Sequence, residues 1–178
     1  SYAVTVTTTD AGGLTTSEAF TVSVTNVNET PTILGLASSI TAAENQTSVT
    51  TVSASDPESA SLSYSLSGTD ASSFSISSTG VISFNVSSDY ETKNSYTITV
   101  NVSDGINSSS QALTINVSDV NESPIITSLP STVVVDENTL SVFQVKTFDP
   151  ENDPLTYALS GTDAASFNVS TAGLISFK

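Results

Sequence analysis

The acidic residues of this chain fall in short groups beside other oxygen-bearing side chains. Asp56-Pro57-Glu58 recurs as Asp149-Pro150-Glu151, and Glu44-Asn45 recurs as Glu137-Asn138. Asp89-Tyr90-Glu91 and Asp119-Val120-Asn121-Glu122 add two further groups, and Asn28-Glu29 copies Asn121-Glu122. Carboxylates, amide oxygens and backbone carbonyls are the hard ligands of which calcium takes about six to eight. Two like charges ~4 Å apart repel by roughly 4 kcal/mol at an effective dielectric of ~20. Against 18 acidic residues the chain sets only Lys93, Lys146 and Lys178. No protein cation can neutralise such groups, so a bound metal is the chemistry they best serve. The bland alternative is solvated surface, the usual fate of Asp and Glu.

Catalysis has little to work with. There is no His, Cys or Arg for a triad or a phosphate clamp. The pair Asp89/Glu91 could in principle cleave a glycoside, but metal ligation suits it better, and the chain reads as a non-enzyme. A net charge of −15 disfavours nucleic acid and anionic membrane, both of which select Lys/Arg patches. No apolar run reaches the roughly 18 residues of a membrane span. Absent cysteine excludes only disulfide stapling. Ser1 reads as the interior of something longer.

What must position these groups is a repeat. Asn28 to Phe84 aligns without a gap on Asn121 to Phe177, a spacing of 93, with 29 of 57 positions identical. The identities include Glu44/Glu137, Asp56/Asp149 and Glu58/Glu151 as well as core residues, so the repeat preserves a site and not only a fold. A unit of this length buries its own core, which makes the copies tandem domains and not solenoid turns. Serine and threonine form about a third of the chain, as exposed strand faces and turns do. Tyr96, Ile98, Val100 and Val102 alternate with Thr97, Thr99 and Asn101, and Leu113, Ile115 and Val117 alternate likewise. These are half-buried strands of antiparallel sheet. Further strands are expected near 39–43, 49–54, 62–66, 74–77 and 81–85, with turns at Asp56-Pro57, Ser67-Gly68 and Thr79-Gly80. Seven strands in about 90 residues, with no helical periodicity, predict an all-β chain of tandem seven-stranded antiparallel Greek-key sandwiches.

Boundaries are expected at Asn28-Glu29-Thr30-Pro31 and Asn121-Glu122-Ser123-Pro124, where proline stops a strand. Residues 1–31 then end one repeat, 32–124 form a complete repeat, and 125–178 begin another. Tyr2 matches Tyr96 and Asp10 matches Asp104. The first and last segments together carry seven strands' worth of one repeat, lacking only the copy of Val86 to Asn94.

These motifs resemble the cadherin repeat, in the form found in bacterial surface adhesins, over essentially the whole chain. The resemblance implies calcium ligands at Glu44 and Glu137 (the early Glu-Asn motif), Asp89 and Glu91 (Asp-x-Glu), and Asp119, Asn121 and Glu122 (the linker motif). It implies further ligands at Asp56, Glu58, Asp149 and Glu151 (acidic-x-acidic), at Asp104 and Asp10 (the aspartate ending the sixth strand), and at Asn28 and Glu29 of the first linker. Thirteen of the 18 acidic residues fall on such positions. The sequence departs from the family in three ways. Asn26 stands where the second linker has Asp119. Both linkers are one residue short and use Glu where Asp is usual. Repeat 2 has Ala60 where repeat 3 has Asp153.

The resemblance implies a calcium-rigidified stalk or adhesion segment of an extracellular, cell-surface tandem-repeat protein. Its partners would be the neighbouring repeats. Two other readings stand beside it: a module binding carbohydrate or a like domain homophilically, and a subunit of a self-assembling extracellular fibre or filament. Asp70 and Asp163 sit in turns and are expected to accept backbone hydrogen bonds. Eight Asn-x-Ser/Thr sequons occur, three of them (Asn28, Asn45, Asn121) inside the calcium motifs, where a glycan would obstruct. Tyr64, Tyr157, Phe74, Phe167, Phe84 and Phe177 repeat with the strands and read as core. Tyr90 has no copy and is the candidate exposed aromatic.

Overall fold

The computed structural model describes residues 1–58 and 61–178; Ala60 lies outside the described residues. Strands β1 (Tyr2–Thr9) and β2 (Thr15–Val22) form a hairpin in register from Tyr2↔Val22 to Thr9↔Thr15. A two-sheet sandwich follows. Its strands are β3 (Thr32–Leu34), β4 (Ser39–Ala43), β5 (Ser48–Thr51), β6 (Ser53–Ser55), β7 (Ser63–Ser67), β8 (Phe74–Ile76), β9 (Val81–Phe84), β10 (Ser95–Ser103) and β11 (Ser108–Ser118). One sheet has the order β4-β11-β10-β7. The facing strands pair as β3-β6 and β5-β9-β8. No α-helix occurs among the described residues, only 3-10 turns at Ala71–Ser73 and Ala164–Ser166.

Alternation builds the core. Ile98, Val100, Val102, Leu113 and Ile115 are fully buried, while Thr97 and Thr99 face outward beside them. Each such side chain contributes about 1.5–3 kcal/mol on burial. Phe74, Phe84 and Tyr96 pack as a trio with ring centroids 4.5–5.4 Å apart. Phe167 and Phe177 repeat the first of these contacts at 4.9 Å. Of the aromatics expected in the core, Phe74 and Phe84 are buried and Tyr64 packs half-buried against them, while Tyr157, Phe167 and Phe177 are half-buried. Tyr90 differs from expectation: it is half-buried and packs on the core cluster.

The expected all-antiparallel sandwich holds except at one pair. Strands β11 and β4 run parallel, Thr114 opposite Ser39 through Ser118 opposite Ala43. After β3 the chain leaves one sheet at Gly35 (φ 63°) and enters the other as β4. Moving to the opposite sheet without reversing direction forces the parallel pairing. A second difference is the break between β5 and β6 at Val52. Its N–H turns to the Gly80 carbonyl at 2.9 Å. A Cβ on Gly80 would lie 2.3 Å from the Val52 carbonyl, so no other residue fits that turn. Val145 N–H meets the Gly173 carbonyl in the same way at 3.0 Å, showing the repeat in three dimensions.

After the second linker come β12 (Ile125–Ser128), β13 (Ser141–Gln144), β14 (Lys146–Phe148), β15 (Phe167–Val169) and β16 (Leu174–Phe177), paired as β12-β14 and β13-β16-β15. These copy β3-β6 and β5-β9-β8. Residues 132–136 and 156–160, which copy β4 and β7, carry no strand. In the central sandwich those strands pair with β10 and β11, whose copies are not in residues 125–178.

Candidate metal centre

Four carboxylates meet where the central sandwich joins the segment after it. Glu44, Glu91, Glu122 and Glu151 each present an oxygen, all within 4.8 Å of one another. They come from four places: the end of β4, the 85–94 loop, the linker, and the turn after β14.

Each is held there by local structure. Glu44 is 3% exposed. Its Oε2 accepts the Tyr90 N–H at 2.6 Å and its Oε1 accepts the Val120 N–H at 2.7 Å. One buried carboxylate thereby ties the loop to the linker. Asn45 (φ 61°) turns the chain after β4, and its side-chain amide donates to Glu122 Oε1. Asp89 caps its own turn by accepting the Thr92 N–H at 2.8 Å. Asp149 is buried and accepts the Asp153 N–H at 2.9 Å, shaping the turn that presents Glu151. Asn121 donates to the Glu122 carbonyl at 3.0 Å. Asn45, Asp89, Glu91, Thr92, Glu122, Phe148 and Pro150 line a cavity of about 260 Å³ beside the cluster. A larger open cleft of about 320 Å³ lies between Val142, Leu159, Phe167, Ile175 and the 160–164 turn with Asp163, and it shares no residue with the carboxylate cluster.

The cluster suits a cation. Glu122 Oε2 and both Glu151 oxygens are shielded from solvent without a hydrogen-bond donor. Between two carboxylates only a captured proton could satisfy them, and the Glu122 carboxyl accordingly holds Glu151 above the ordinary carboxylate range. Desolvation raises Glu91, helped by the charges of Glu44, Asp119 and Glu151. Desolvation likewise raises Asp119, helped by Glu151, Glu44 and Asp153. The ion pair among the described residues, Lys93–Asp70, lies outside this group. Orphaned buried oxygens with no internal counter-charge are what a hard divalent cation would satisfy.

The first linker gathers a second, smaller group. Asn28 donates to Asp104 Oδ2 at 2.8 Å and to the Glu29 carbonyl at 2.9 Å. Glu29 N–H meets Glu58 Oε2 at 3.3 Å, and Asn26 donates to Glu58 Oε1 at 3.3 Å. Asp56 accepts the Glu58 N–H at 3.0 Å. Glu29 is raised by the carboxyl of Glu58, and Glu58 is correspondingly lowered, as two acids sharing one proton behave. Asp104 is lowered by the Asn28 amide and the N–H groups of its turn.

Two expected ligands join neither group. Asp10 caps the β1–β2 turn through Gly12 and Leu14 N–H at 2.9 and 2.8 Å, at the hairpin end remote from the linker. Glu137 is exposed in a turn. Asp153 was missing from the expected set, yet its charge acts on Asp119. Its signal was present as a third acid following Asp149 and Glu151 at every second position.

The shifts fix a pH dependence. An acid raised by folding stabilises the fold below its unfolded value, and that contribution is lost as pH rises through the folded value. The calcium-free junction should therefore gain stability as pH falls from neutrality towards about 4.5 through Glu91, Glu151 and Asp119. Asp104 at the first linker and Asp70, which the Lys93 ammonium lowers, carry the opposite dependence and lose their contribution only as pH falls below about 3.8. Carboxyl-carbon NMR in calcium-free buffer should show the first three titrating above their ordinary values and the last two below. All five titrating at ordinary values would contradict the crowding described.

Residues 38–118 match the family model described as a cadherin domain. No curated protein sequence matches the chain. Solved structures with the same fold include human CDH23 EC21–23, at 22% identity and a TM-score of 0.65 over 98% of this chain and 63% of that one. Human protocadherin-24 EC1–2 (form II) matches at 23% identity and 0.61, over 85% and 80%. Protocadherin gammaB7 EC3–6, solved as a cis-dimer, matches at 26% and 0.61, over 99% and 51%. The cadherin-domain match falls on the central sandwich, from just before β4 to the end of β11, and the solved structures that share its fold are cadherin and protocadherin ectodomains.

Proposed function

We propose that this chain is a calcium-rigidified stalk or adhesion segment of an extracellular surface protein, with ions at the linkers tying successive cadherin-type repeats. Cadherin domains are extracellular, non-enzymatic adhesion modules. The finer reading rests on one observation: the four-carboxylate cluster draws on both sides of a repeat boundary, Glu44, Glu91 and Glu122 on one side and Glu151 on the other. On this reading the division is 1–31, 32–124 and 125–178. The second junction is served by Glu44, Asp89, Glu91, Asp119, Asn121, Glu122, Asp149 and Glu151, and the first by Asn28, Glu29, Asp56, Glu58 and Asp104. Calcium would supply the positive charge that the chain lacks. Glu44 orients loop and linker, and Asn45 holds Glu122 in place. An aromatic platform for carbohydrate has no basis in the central repeat, since its repeated aromatics pack in or against the core.

Calorimetric titration of the chain tests this. Calcium should bind with dissociation constants of ~0.1–1 mM, the range of extracellular modules. The second junction should fill first, because Asn26 removes a carboxylate from the first and sets an amide donor on Glu58. Asn26→Asp should tighten the weaker step. No heat at millimolar calcium would defeat the proposal.

A further inference from the structure

Asp70 does more than cap a turn. Its Oδ2 accepts the Thr97 N–H at 2.8 Å, and its own N–H donates to the Thr97 carbonyl at 3.2 Å. That leaves Oδ1, which meets Lys93 Nζ at 2.5 Å. Lys93 is the only basic residue between positions 1 and 145. Its ammonium also stands 4.6 Å from the centre of the Tyr96 ring. Lys93 closes the segment that carries Asp89 and Glu91, and its N–H donates back to the Asp89 carbonyl at 2.9 Å. The other end of that segment is fixed by Tyr90 N–H on Glu44 and by Asn45 N–H on the Ser88 carbonyl at 3.0 Å. Between the two anchors the chain has no regular secondary structure.

We propose that Lys93 and Asp70 form a positioning pair for the metal centre, clamping the 88–93 segment so that Asp89 and Glu91 face Glu44, Glu122 and Glu151. The proposal rests on the calcium reading above. It assigns a task to the lone cation of the repeat, which would otherwise be misplaced. By charge alone, an ammonium does not attract calcium. The Lys93 side chain is 43% exposed, so the pair adds little to folding. Lys93 cannot ligate a cation, and its contacts with Asp70 and the Tyr96 ring leave the geometry of its segment as what it can offer the metal centre. Groups that orient metal ligands commonly control affinity about ten-fold or more.

The sign of one substitution separates the possibilities. Lys93→Met in the full 178-residue chain should weaken the tighter calcium step about ten-fold in calorimetry. Lys93→Arg, which keeps the pair with Asp70, should stay near wild type. The melting temperature in calcium-free buffer should be unchanged in both. Calcium binding to Lys93→Met as tight as wild type, or tighter, overturns the proposal and assigns Lys93 an electrostatic effect only. An affinity loss that comes with an equal fall in calcium-free stability also overturns it, as a structural effect. If wild type itself binds no calcium, the calcium reading fails first and takes this proposal with it.

Discussion

Glu44→Ala is expected to abolish calcium binding at the second junction and to destabilise the central sandwich even without calcium. The second effect distinguishes Glu44 from the other acids of the cluster. Its carboxylate is buried and satisfies two backbone N–H groups, those of Tyr90 and Val120. Alanine leaves both donors in the protein with nothing to meet. Each orphaned buried donor costs about 1–3 kcal/mol, so a loss of about 2–4 kcal/mol is expected after some water enters. Glu91→Ala should lose the calcium step with little change in the calcium-free fold, because Glu91 is exposed, and both desolvation and the charges of Glu44, Asp119 and Glu151 weigh against its ionised form. Urea denaturation in calcium-free buffer and calorimetry on both variants check this. Equal calcium-free stability of Glu44→Ala and wild type would show that the bonds from Tyr90 and Val120 to Glu44 do not hold loop and linker in solution.

Chelating calcium should leave the sandwich folded and loosen the chain at residues 119–124. The core of β3–β11 is built from apolar alternation and owes nothing to a metal. The junction is different. Four carboxylates present oxygens within 4.8 Å of one another, and like charges that close repel with no cation of the chain among them. Proton capture at Glu151 and Glu91 offsets part of this below neutrality, and at pH 7.5 the remaining charge should push the two sides apart. Small-angle scattering with and without chelator should show a changed maximum dimension and profile, while far-ultraviolet circular dichroism keeps its strand signal. Glu122→Ala should reproduce the chelated profile in calcium, since it removes both a ligand and the partner of Asn45. Identical scattering curves would mean that the cluster does not govern the junction.

Much of this was legible in the residues. Period-two alternation located β10 and β11 and their buried faces, because an apolar face and a Ser/Thr face sort by burial regardless of what lies nearby. The direction of pairing was not legible at β4: alternation is the same for parallel and antiparallel neighbours, and only the crossover at Gly35 decides. The interruption at Val52 escaped notice because it depends on a carbonyl from Gly80, 28 residues away. Tyr90 lacks a copy, which hid its packing, since the loop that places it occurs once in this sequence. Among the acids, residue type marked Glu44, Glu91, Glu122 and Glu151 as candidates, but Asp10 and Asp104 read alike: both cap the equivalent hairpin turn, and only the fold shows that Asp104 also accepts the Asn28 amide of the first linker. Lys93 and Asp70 could not be paired from sequence, because 23 residues and a strand turn separate them.

The most direct test is a crystal of this chain grown with calcium, with diffraction recorded where calcium scatters anomalously. A difference peak should lie among Glu44, Glu91, Glu122 and Glu151, with carboxylate oxygens about 2.3–2.6 Å from it. It should be stronger there than near Glu29 and Glu58. A map with no peak at the second junction, or with its four carboxylates splayed into solvent around ordered water, would contradict calcium as the tie between these repeats.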